Sequence, residues 1–389
     1  MALRIADIFR AAPSHDLATH RVAAVVAAAY RAILACRTAD LGGHVTRCAN
    51  GHIVGVWYNA CRNRNCPRCA FVRVQRWLER QATTLLGCAH HHIIFTIPHD
   101  LAFLWLANYP VLAHLLFRCA REALFELAAD PRYLGARPGA LFALHTWGQQ
   151  LALHPHVHCL VTAGGVDRAG TWVSARRPYF LPAEPLKQLF RGKFLYGLRG
   201  LARAGRLRLP AECPAAHLEA RCREWRHKRW NVYICERYAH PLGVLNYLGR
   251  YLHGGPIAES RLLACDDTTV TFRYKDYRDA GPAGPRAKIL TLARAEFIRR
   301  YLHHVPPKGF HLVRGYGLYH RGGSTEALRR RLRAVLPITP EIQTALTARR
   351  PSPVAPGPVE HVDTCPRCGA PLFVTASAPR AAPDALRAA

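Results

Sequence analysis

Two short motifs contain side chains that could together bind a metal and act as a nucleophile. His156 and His158 flank Val157, and alternate residues of a strand point to one face. Both imidazoles can therefore bind one metal while the valine faces the core. Further along the chain, Tyr247 and Tyr251 are four residues apart, which on a helix places one phenol above the other. A divalent metal beside a nucleophilic tyrosine is what breaking and rejoining a DNA phosphodiester requires.

The segment around the tyrosines has the pattern of an amphipathic helix that begins near Pro241 and ends at Gly254. Its apolar residues form a stripe wide enough to face a core, and Tyr247 and Tyr251 flank one edge of that stripe. Tyrosines at these positions are also typical of a purely structural helix, in which they only widen the apolar stripe. A phenol with a pKa of about 10 is a weak nucleophile, so catalysis needs electrostatic help. Arg250 can supply it.

A third imidazole is expected from the preceding predicted strand. His145 lies on that strand, and antiparallel pairing can bring it beside His156 and His158. His154 ranks lower, because Pro155 disturbs the ladder there. Three imidazoles favour zinc, manganese or another transition ion over magnesium, and the metal would polarise the phosphate as a Lewis acid. The run of histidines from residue 90 to 92 opens another predicted strand and is interpreted as structural.

The N-terminal part contains a zinc-binding pattern. Cys66-Pro67-Arg68-Cys69 is a half-site, since a CPxC turn can place two thiolates on one tetrahedral ion. The partner half has to come from Cys48, His52 and Cys61. The set that we favour is Cys48, Cys61, Cys66 and Cys69, with His52 as the alternative ligand. Arg62 and Arg64, between the ligands, are predicted to contact DNA phosphates.

A similar turn occurs near the C-terminus, at Cys365-Pro366-Arg367-Cys368-Gly369. His361 precedes it, and Asp363 would be a poor fourth ligand. The turn is consistent with a zinc knuckle or with an orphan half-site, and the sequence leaves both open. The other eight cysteines lie among apolar residues and are expected in the core: Cys36, Cys88, Cys119, Cys159, Cys213, Cys222, Cys235 and Cys265.

Composition points to nucleic acid as the partner. The chain has 389 residues with a formal net charge of +29, and most of its 54 basic residues are arginine, which suits bidentate contact with phosphate. Fourteen cysteines without a secretory signal favour the reducing cytoplasm and metal ligation over disulfides. The most apolar stretch, residues 101–117, is interrupted by polar residues and proline and is expected to be buried helix, so no membrane partner is predicted.

The hydrophobic pattern predicts an α+β fold in which an antiparallel sheet carries the histidines. Helices are expected over residues 21–36, 101–128, 182–230 and 292–303, a hairpin over 140–166, and strands over 93–98 and 269–279. The domain boundaries that we expect are a helical and zinc-binding region at 1–88, a domain with the histidines and tyrosines at 89–262, which the resemblance described next makes the nuclease domain, an α/β extension at 263–348 and a Pro/Ala-rich tail with a CxxC half-site at 349–389.

Three segments resemble one family. HTWGQQLALHPHVHCLVTAGG and NYLGRYLHGGPIAESRL are similar to the HUH-type two-tyrosine rolling-circle transposases of the insertion-sequence-91 family, and YNACRNRNCPRCA is similar to their zinc-binding region. The matches keep the family's order from about residue 25 to 320. The resemblance implies an HUH domain with a central antiparallel sheet, preceded by a zinc module with structural Zn²⁺.

The resemblance also implies an activity. It is cleavage of single-stranded DNA at transposon ends, with Mg²⁺ or Mn²⁺ held by His156 and His158 and with Tyr247 and Tyr251 as nucleophiles that form 5′-phosphotyrosines. Related elements keep a single tyrosine, so the presence of both favours the two-tyrosine branch. The third ligand, His145, rests on strand geometry and on analogy with three-histidine relaxases.

Two other functions are compatible with these residues. A plasmid replication initiator or relaxase uses the same chemistry, although the zinc segment and the lack of a Gly-rich phosphate loop disfavour a relaxase fused to a helicase. A zinc-dependent DNA-binding regulator would use the histidines and tyrosines structurally, and it would bind DNA without forming a covalent adduct.

Overall fold

The computed structural model describes residues 3–11, 23–175, 180–211, 213–238, 255–281, 284–336 and 364–378. The predicted helix with Tyr247, Arg250 and Tyr251 lies outside these ranges, as do His361 and Asp363. The chain divides into two compact units. The first contains residues 1–74, 253–305 and 347–389, and the second contains residues 75–252 and 306–346. The domain boundaries expected from the sequence remain predictions.

The described residues form nine helices and twelve strands, apart from short 3-10 turns. The helices are α1 (Ile5–Arg10), α2 (Ala24–Leu34), α3 (Pro67–Ala82), α4 (Ala102–Ala107), α5 (Tyr109–Ala129), α6 (Ala183–Arg203), α7 (Ala215–His227), α8 (Arg294–Leu302) and α9 (Gly323–Val335). The strands are β1 (Gly43–Cys48), β2 (Ile53–Tyr58), β3 (His90–Thr96), β4 (Arg137–Trp147), β5 (Leu153–Val166), β6 (Trp172–Ser174), β7 (Asn231–Tyr238), β8 (Leu262–Cys265), β9 (Thr269–Gly281), β10 (Gly284–Ala293), β11 (Val313–Gly317) and β12 (Leu372–Ala378).

The second unit is built on one six-stranded antiparallel sheet. Its order is β11-β4-β5-β3-β7, and β6 pairs with β5. The β4–β5 pair is the hairpin predicted for residues 140–166, and β3 is the strand predicted after the histidine run. The α+β class with a central antiparallel sheet is therefore confirmed.

The two faces of this sheet differ because strand residues alternate. One face carries apolar side chains such as Phe95, Phe142 and Val157, which pack against buried residues of α5 and α6 such as Leu116 and Phe190. This burial of apolar surface is the main force that holds the sheet to its helices. The residues in between point to the opposite face of the sheet. His92, His145, His156 and His158 lie at these alternate positions and therefore on that face.

The first unit contains two three-stranded antiparallel sheets, β12-β1-β2 and β10-β9-β8. Phe9 of α1 stacks on Tyr30 of α2 with ring centroids 5.1 Å apart, and it meets Tyr301 of α8 edge-on at 5.3 Å. The buried Tyr301 hydroxyl donates a hydrogen bond of 2.7 Å to the carbonyl oxygen of Asn65, within the Cys/Arg-rich segment. The aromatic core thus supports the segment expected to bind zinc.

The most apolar stretch of the sequence forms α4 and the start of α5, the expected pair of helices. They bury residues such as Trp105 and Leu116, whereas Phe103 and Leu106 are exposed. Among the described helices, none is both long and apolar enough to cross a membrane.

Candidate active site and cysteine clusters

Three histidines converge on the face of the second unit's sheet that lies opposite the core formed with α5 and α6. His145 of β4 pairs directly with His156 of β5, and His158 lies two residues further along β5. All three are buried, and their potential ligand nitrogens lie within 4.8 Å of one another. The ring of Trp147 stacks on that of His145 with centroids 4.9 Å apart, which limits how His145 can turn. Strand parity and hairpin pairing together bring the three predicted residues into one cluster.

Hydrogen bonds select the ring nitrogens that face this cluster. Nδ1 of His156 lies 2.6 Å from the carbonyl oxygen of His154, so it carries the proton and donates it. Nε2 of His156 is then the atom with a free lone pair, and it lies 3.0 Å from Nε2 of His158. Nδ1 of His158 in turn lies 3.0 Å from Nε2 of His92 on β3. The triad therefore has a supporting histidine behind it.

Burial keeps these imidazoles neutral. It lowers the pKa of His156 to about 3, with a smaller contribution from His154. It also lowers the pKa of His158 well below the usual value, helped by the nearby His145 and His156. The pKa of His92 falls to about 4 for the same reason, burial. A neutral imidazole is the form that binds a metal, so no proton has to be displaced at neutral pH.

The spacing fits a divalent metal. With metal–nitrogen bonds of about 2.1 Å, two imidazole nitrogens at a right angle lie roughly 3.0 Å apart. The His156–His158 nitrogen separation of 3.0 Å matches this value. If all three imidazoles held a metal, its other coordination positions would be open to water and phosphate oxygen.

The first of two cysteine clusters lies in the first unit and contains Cys36, Cys61, Cys66 and Cys69. The Sγ atoms of Cys36 and Cys69 are 3.5 Å apart, those of Cys61 and Cys69 3.5 Å, and those of Cys66 and Cys36 3.7 Å. Zn–S bonds of about 2.3 Å in a tetrahedron give edges of roughly 3.8 Å, so four thiolates in this arrangement fit Zn²⁺. Hydrogen bonds, first from Cys61 and then from Cys66 and Cys69, lower the pKa of Cys36.

The predicted set of Cys48, Cys61, Cys66 and Cys69 needs a correction. The structure brings the last three together but fills the fourth position with Cys36, a residue expected in the core from its apolar neighbours in the sequence. Cys48 ends β1 and lies instead with His52, Cys365 and Cys368 in a second cluster. The physical reason is the β1–β2 hairpin, whose turn carries Cys48 and His52 together and separately from the CPxC turn at the start of α3.

The arginines between the ligands have different environments. Arg62 is exposed, with a positive φ of 54°, and its carbonyl oxygen accepts a hydrogen bond from Arg73. Arg64 is half-buried. Arg250 lies outside the described residues. Contact of these three arginines with DNA remains a prediction.

Sequence reasoning missed Cys36 and His92. Counting possible ligands over the whole chain could have identified Cys36. With Cys36 in the set of the N-terminal CPxC turn, Cys48 and His52 are left to complete a second set of four with the two C-terminal cysteines. Strand parity identifies His92. It lies two residues before Ile94, which pairs with His158 across β3 and β5, so His92 and His158 are on the same face of the sheet.

Comparisons with known proteins agree with this description. The family described as "Putative transposase" matches residues 139–326, and the family described as "Transposase zinc-binding domain" matches residues 8–97. "Putative transposase y4qJ" of Sinorhizobium fredii is 40% identical over 319 residues, which cover 80% of this chain and 79% of that protein. "Transposase for insertion sequence element IS801" of Pseudomonas savastanoi pv. phaseolicola is 32% identical over 301 residues, 73% of this chain and 68% of that protein. No solved structure gave a significant match.

An α+β chain with a histidine triad, thiolate clusters and these relatives is a transposase, a DNA-processing enzyme with structural zinc. More specifically, the chain belongs to the insertion-sequence-91 family of transposases.

Proposed function

We propose that this transposase cleaves and rejoins single-stranded DNA at the ends of its element through 5′-phosphotyrosine intermediates, with a divalent metal, and so drives rolling-circle transposition. One observation carries the proposal: the ligand nitrogens of His145, His156 and His158 lie within 4.8 Å of one another on a single sheet. A regulator that only bound DNA would have no need for three buried imidazoles whose ligand nitrogens converge. Membership of a transposase family favours this function over plasmid replication.

The nucleophiles that we propose are Tyr247 and Tyr251, on the strength of the family resemblance. The tyrosine oxygen attacks phosphorus, the bond from phosphorus to the 3′ oxygen breaks, and the leaving oxygen takes up a proton as a free 3′-hydroxyl. The 5′ phosphate is then esterified to tyrosine. Attack by another 3′-hydroxyl reverses these changes and joins two strands, so bonds and electrons balance without a further reactant.

Neighbouring groups of the chain prepare the site for this step. Mg²⁺ or Mn²⁺, when bound, would polarise the phosphate and orient it for in-line attack. His156 presents its Nε2 lone pair because its Nδ1 donates to the His154 carbonyl, and His158 would present Nε2 to a metal when its Nδ1 donates to His92. The phenol must lose a proton with a pKa of about 10, and a nearby positive charge favours that loss. Arg250 is the candidate for this charge, and exposed Arg62 is a candidate for contact with the DNA backbone.

The experiment incubates the purified chain with single-stranded oligonucleotides from the element's ends and Mg²⁺ or Mn²⁺, and then separates covalent protein–DNA species on a denaturing gel. Wild type is expected to form an adduct that requires the metal. The double variant Tyr247→Phe, Tyr251→Phe is expected to form none. Tyr196→Phe is the matched control, because Tyr196 is a helical tyrosine that is 79% exposed, and it should behave as wild type.

Two outcomes would refute the proposal. One is wild type that binds the oligonucleotides without forming an adduct, as a DNA-binding regulator would. The other is an adduct that persists in the double phenylalanine variant. An adduct formed at a plasmid origin but not at element ends would indicate a replication initiator instead.

A further inference from the structure

The second cysteine cluster joins two distant parts of the sequence. Cys48 and His52 belong to the turn between β1 and β2, whereas Cys365 and Cys368 precede β12. The two matching family models end at residues 97 and 326, so neither covers the C-terminal pair. All four residues lie in the first unit.

The distances in this cluster are those of a tetrahedral metal site. Sγ of Cys48 is 3.5 Å from Nδ1 of His52 and 3.7 Å from Sγ of Cys368. Sγ of Cys365 is 3.8 Å from the same His52 nitrogen. A tetrahedral Zn²⁺ with bonds of about 2.3 Å to sulfur and 2.0–2.1 Å to nitrogen has edges of roughly 3.8 Å between sulfurs and 3.5 Å from sulfur to nitrogen.

Both halves of the cluster have the backbone of a ligand-presenting turn. In the first half, the Gly51 amide donates to the carbonyl oxygen of Cys48, and the Cys48 amide donates to that of His52. In the second half, the amides of Cys368 and Gly369 both donate to the carbonyl oxygen of Cys365. Gly51 and Gly369 have φ values of 79° and 68°, a conformation that glycine adopts without a Cβ penalty.

We propose that Cys48, His52, Cys365 and Cys368 bind a second structural Zn²⁺ that fastens β12 onto the β1–β2 hairpin. Strand pairing brings the same segments together independently, because β1 lies between β12 and β2 and Cys48 pairs directly with Leu372. The zinc site therefore closes a loop of several hundred residues, so that a C-terminal segment completes an N-terminal module.

A bound metal would stabilise the small β12-β1-β2 sheet, which has little core of its own. Ile53, Trp57 and Phe373 are 53%, 53% and 49% exposed, so the sheet buries little of its apolar surface. Small elements with a small core are commonly held by a metal or a disulfide. The sulfurs of Cys48 and Cys368 are 3.7 Å apart, far longer than a disulfide bond of about 2.05 Å, and the four potential ligand atoms lie within 4.8 Å of one another. Zinc, rather than a disulfide, matches this geometry.

The test measures zinc per chain by elemental analysis of the full protein. In protein whose histidine triad is loaded with Mn²⁺, wild type should contain two zinc ions, one in each cysteine cluster, and the double variant Cys365→Ser, Cys368→Ser should contain one. Cys48→Ser should also contain one, and combining all three substitutions should remove no further zinc, because they affect the same site. Cys265→Ser is the matched control, a half-buried cysteine of the same unit outside both clusters, and should retain two.

A conservative variant keeps the test decisive even if the serine variants fold poorly. His52→Cys should retain two metals. With Co²⁺ in place of zinc, it should raise the thiolate-to-metal absorption, since the site changes from three thiolates to four. In addition, trypsin should cut after exposed Arg367 at least ten times faster in Cys48→Ser than in wild type, since loss of the metal frees the C-terminal turn.

Three results of the metal measurements would overturn the proposal: two zinc ions remaining in the Cys365→Ser, Cys368→Ser variant, an unchanged Co²⁺ spectrum in His52→Cys, or loss of both zinc ions in the triple variant. The last result would place Cys48 in the cluster of Cys36. Tryptic cleavage after Arg367 that is equally fast in wild type and Cys48→Ser would also contradict the fastening of β12.

Discussion

Nε2 of His92 lies 3.0 Å from Nδ1 of His158, so a histidine of β3 supports a candidate metal ligand of β5. For His158 to bind a metal through Nε2, its Nδ1 has to carry the proton and donate it to His92. The ring of His92 must then carry its own proton on Nδ1. Partners of this kind fix the tautomer and orientation of a metal-binding imidazole. His92 is thus a positioning residue for the proposed reaction.

Replacing His92 should weaken metal binding. His92→Ala is expected to lower Mn²⁺ affinity by about 10- to 100-fold, the usual cost of losing such a partner. His92→Gln should recover part of this loss, since its amide oxygen can accept the Nδ1 proton. Mn²⁺ titration followed by electron paramagnetic resonance, without DNA, measures the effect. His91→Gln, on the opposite face of β3, serves as the control, and an equal loss in that variant would assign both effects to folding.

Loss of the ligands themselves should have a larger effect. The double variant His156→Gln, His158→Gln removes two nitrogen donors and should reduce covalent adduct formation by more than about a hundredfold, because even an outer-shell partner costs 10–100-fold. The midpoint of thermal unfolding reports separately whether the sheet remains intact. Full adduct formation by a folded double variant would contradict a metal at this site.

Zinc binding by the first cluster should depend on Cys36. Cys36→Ser is expected to lose one zinc ion and to unfold at lower temperature, because a structural zinc site contributes directly to folding free energy. Elemental analysis and thermal unfolding measure the two effects, with Cys265→Ser as the control. If Cys36→Ser kept its full zinc content while Cys48→Ser lost zinc from the site of Cys66 and Cys69, the set expected from the sequence would be right.

A side chain at position 255 should destabilise the fold, because Gly255 lies against the Tyr301 hydroxyl. Gly255 has a φ of 91°, and a Cβ there would lie 2.6 Å from the Tyr301 hydroxyl that donates to Asn65. Gly255→Ala should lower the free energy of unfolding by about 2–3 kcal/mol, from backbone strain and a disturbed hydrogen bond. Gly284 is the matched comparison, because its φ is 100° and, within the described part of the chain, no atom would lie within 4 Å of an added Cβ.

The difference between these two variants isolates the hydroxyl contact. Gly284→Ala should cost only the strain, about 1–2 kcal/mol. Urea denaturation measures both free energies, and equal costs would show that the contact with Tyr301 contributes nothing.

Acid should destabilise the second unit through its buried histidines. Burial lowers the pKa of His90 to about 4 and that of His91 to about 4, with Arg237 contributing to the second. Between pH 6.5 and 4 the unfolded chain therefore binds more protons than the folded one. The stability from these groups is complete above about pH 6.5 and is lost as the pH falls, by up to about 3 kcal/mol for each histidine at pH 4.

Urea denaturation at a series of pH values measures this loss. In the fold, Nδ1 of His90 donates to the Cys88 carbonyl and Nε2 accepts from the Tyr319 hydroxyl, which protonation would prevent. His90→Gln should therefore flatten the acid limb of the profile. An unchanged slope in this variant would mean that other groups cause the acid sensitivity.

Much of the second unit follows from local pattern. The alternation of apolar and polar residues around His145, Val157 and His158 predicts the β4–β5 hairpin, and pairing of the two strands places the third histidine beside the other two. Periodicity also gives α2, α5, α6 and α8. These features depend on residues close in sequence, and this is the information that a hydrophobic pattern contains.

Residue types and short-range spacing were enough to identify the chemistry available to this protein: imidazoles on one strand face, two CPxC turns, and an arginine surplus suited to DNA. The fold determined which residues became partners. It assigned Cys36 to Cys66 and Cys69, placed Cys48 and His52 with Cys365 and Cys368, and set His92 behind His158. Those choices arise from strand pairing and packing between residues far apart in sequence, and ligand spacing along the chain contains no information about them.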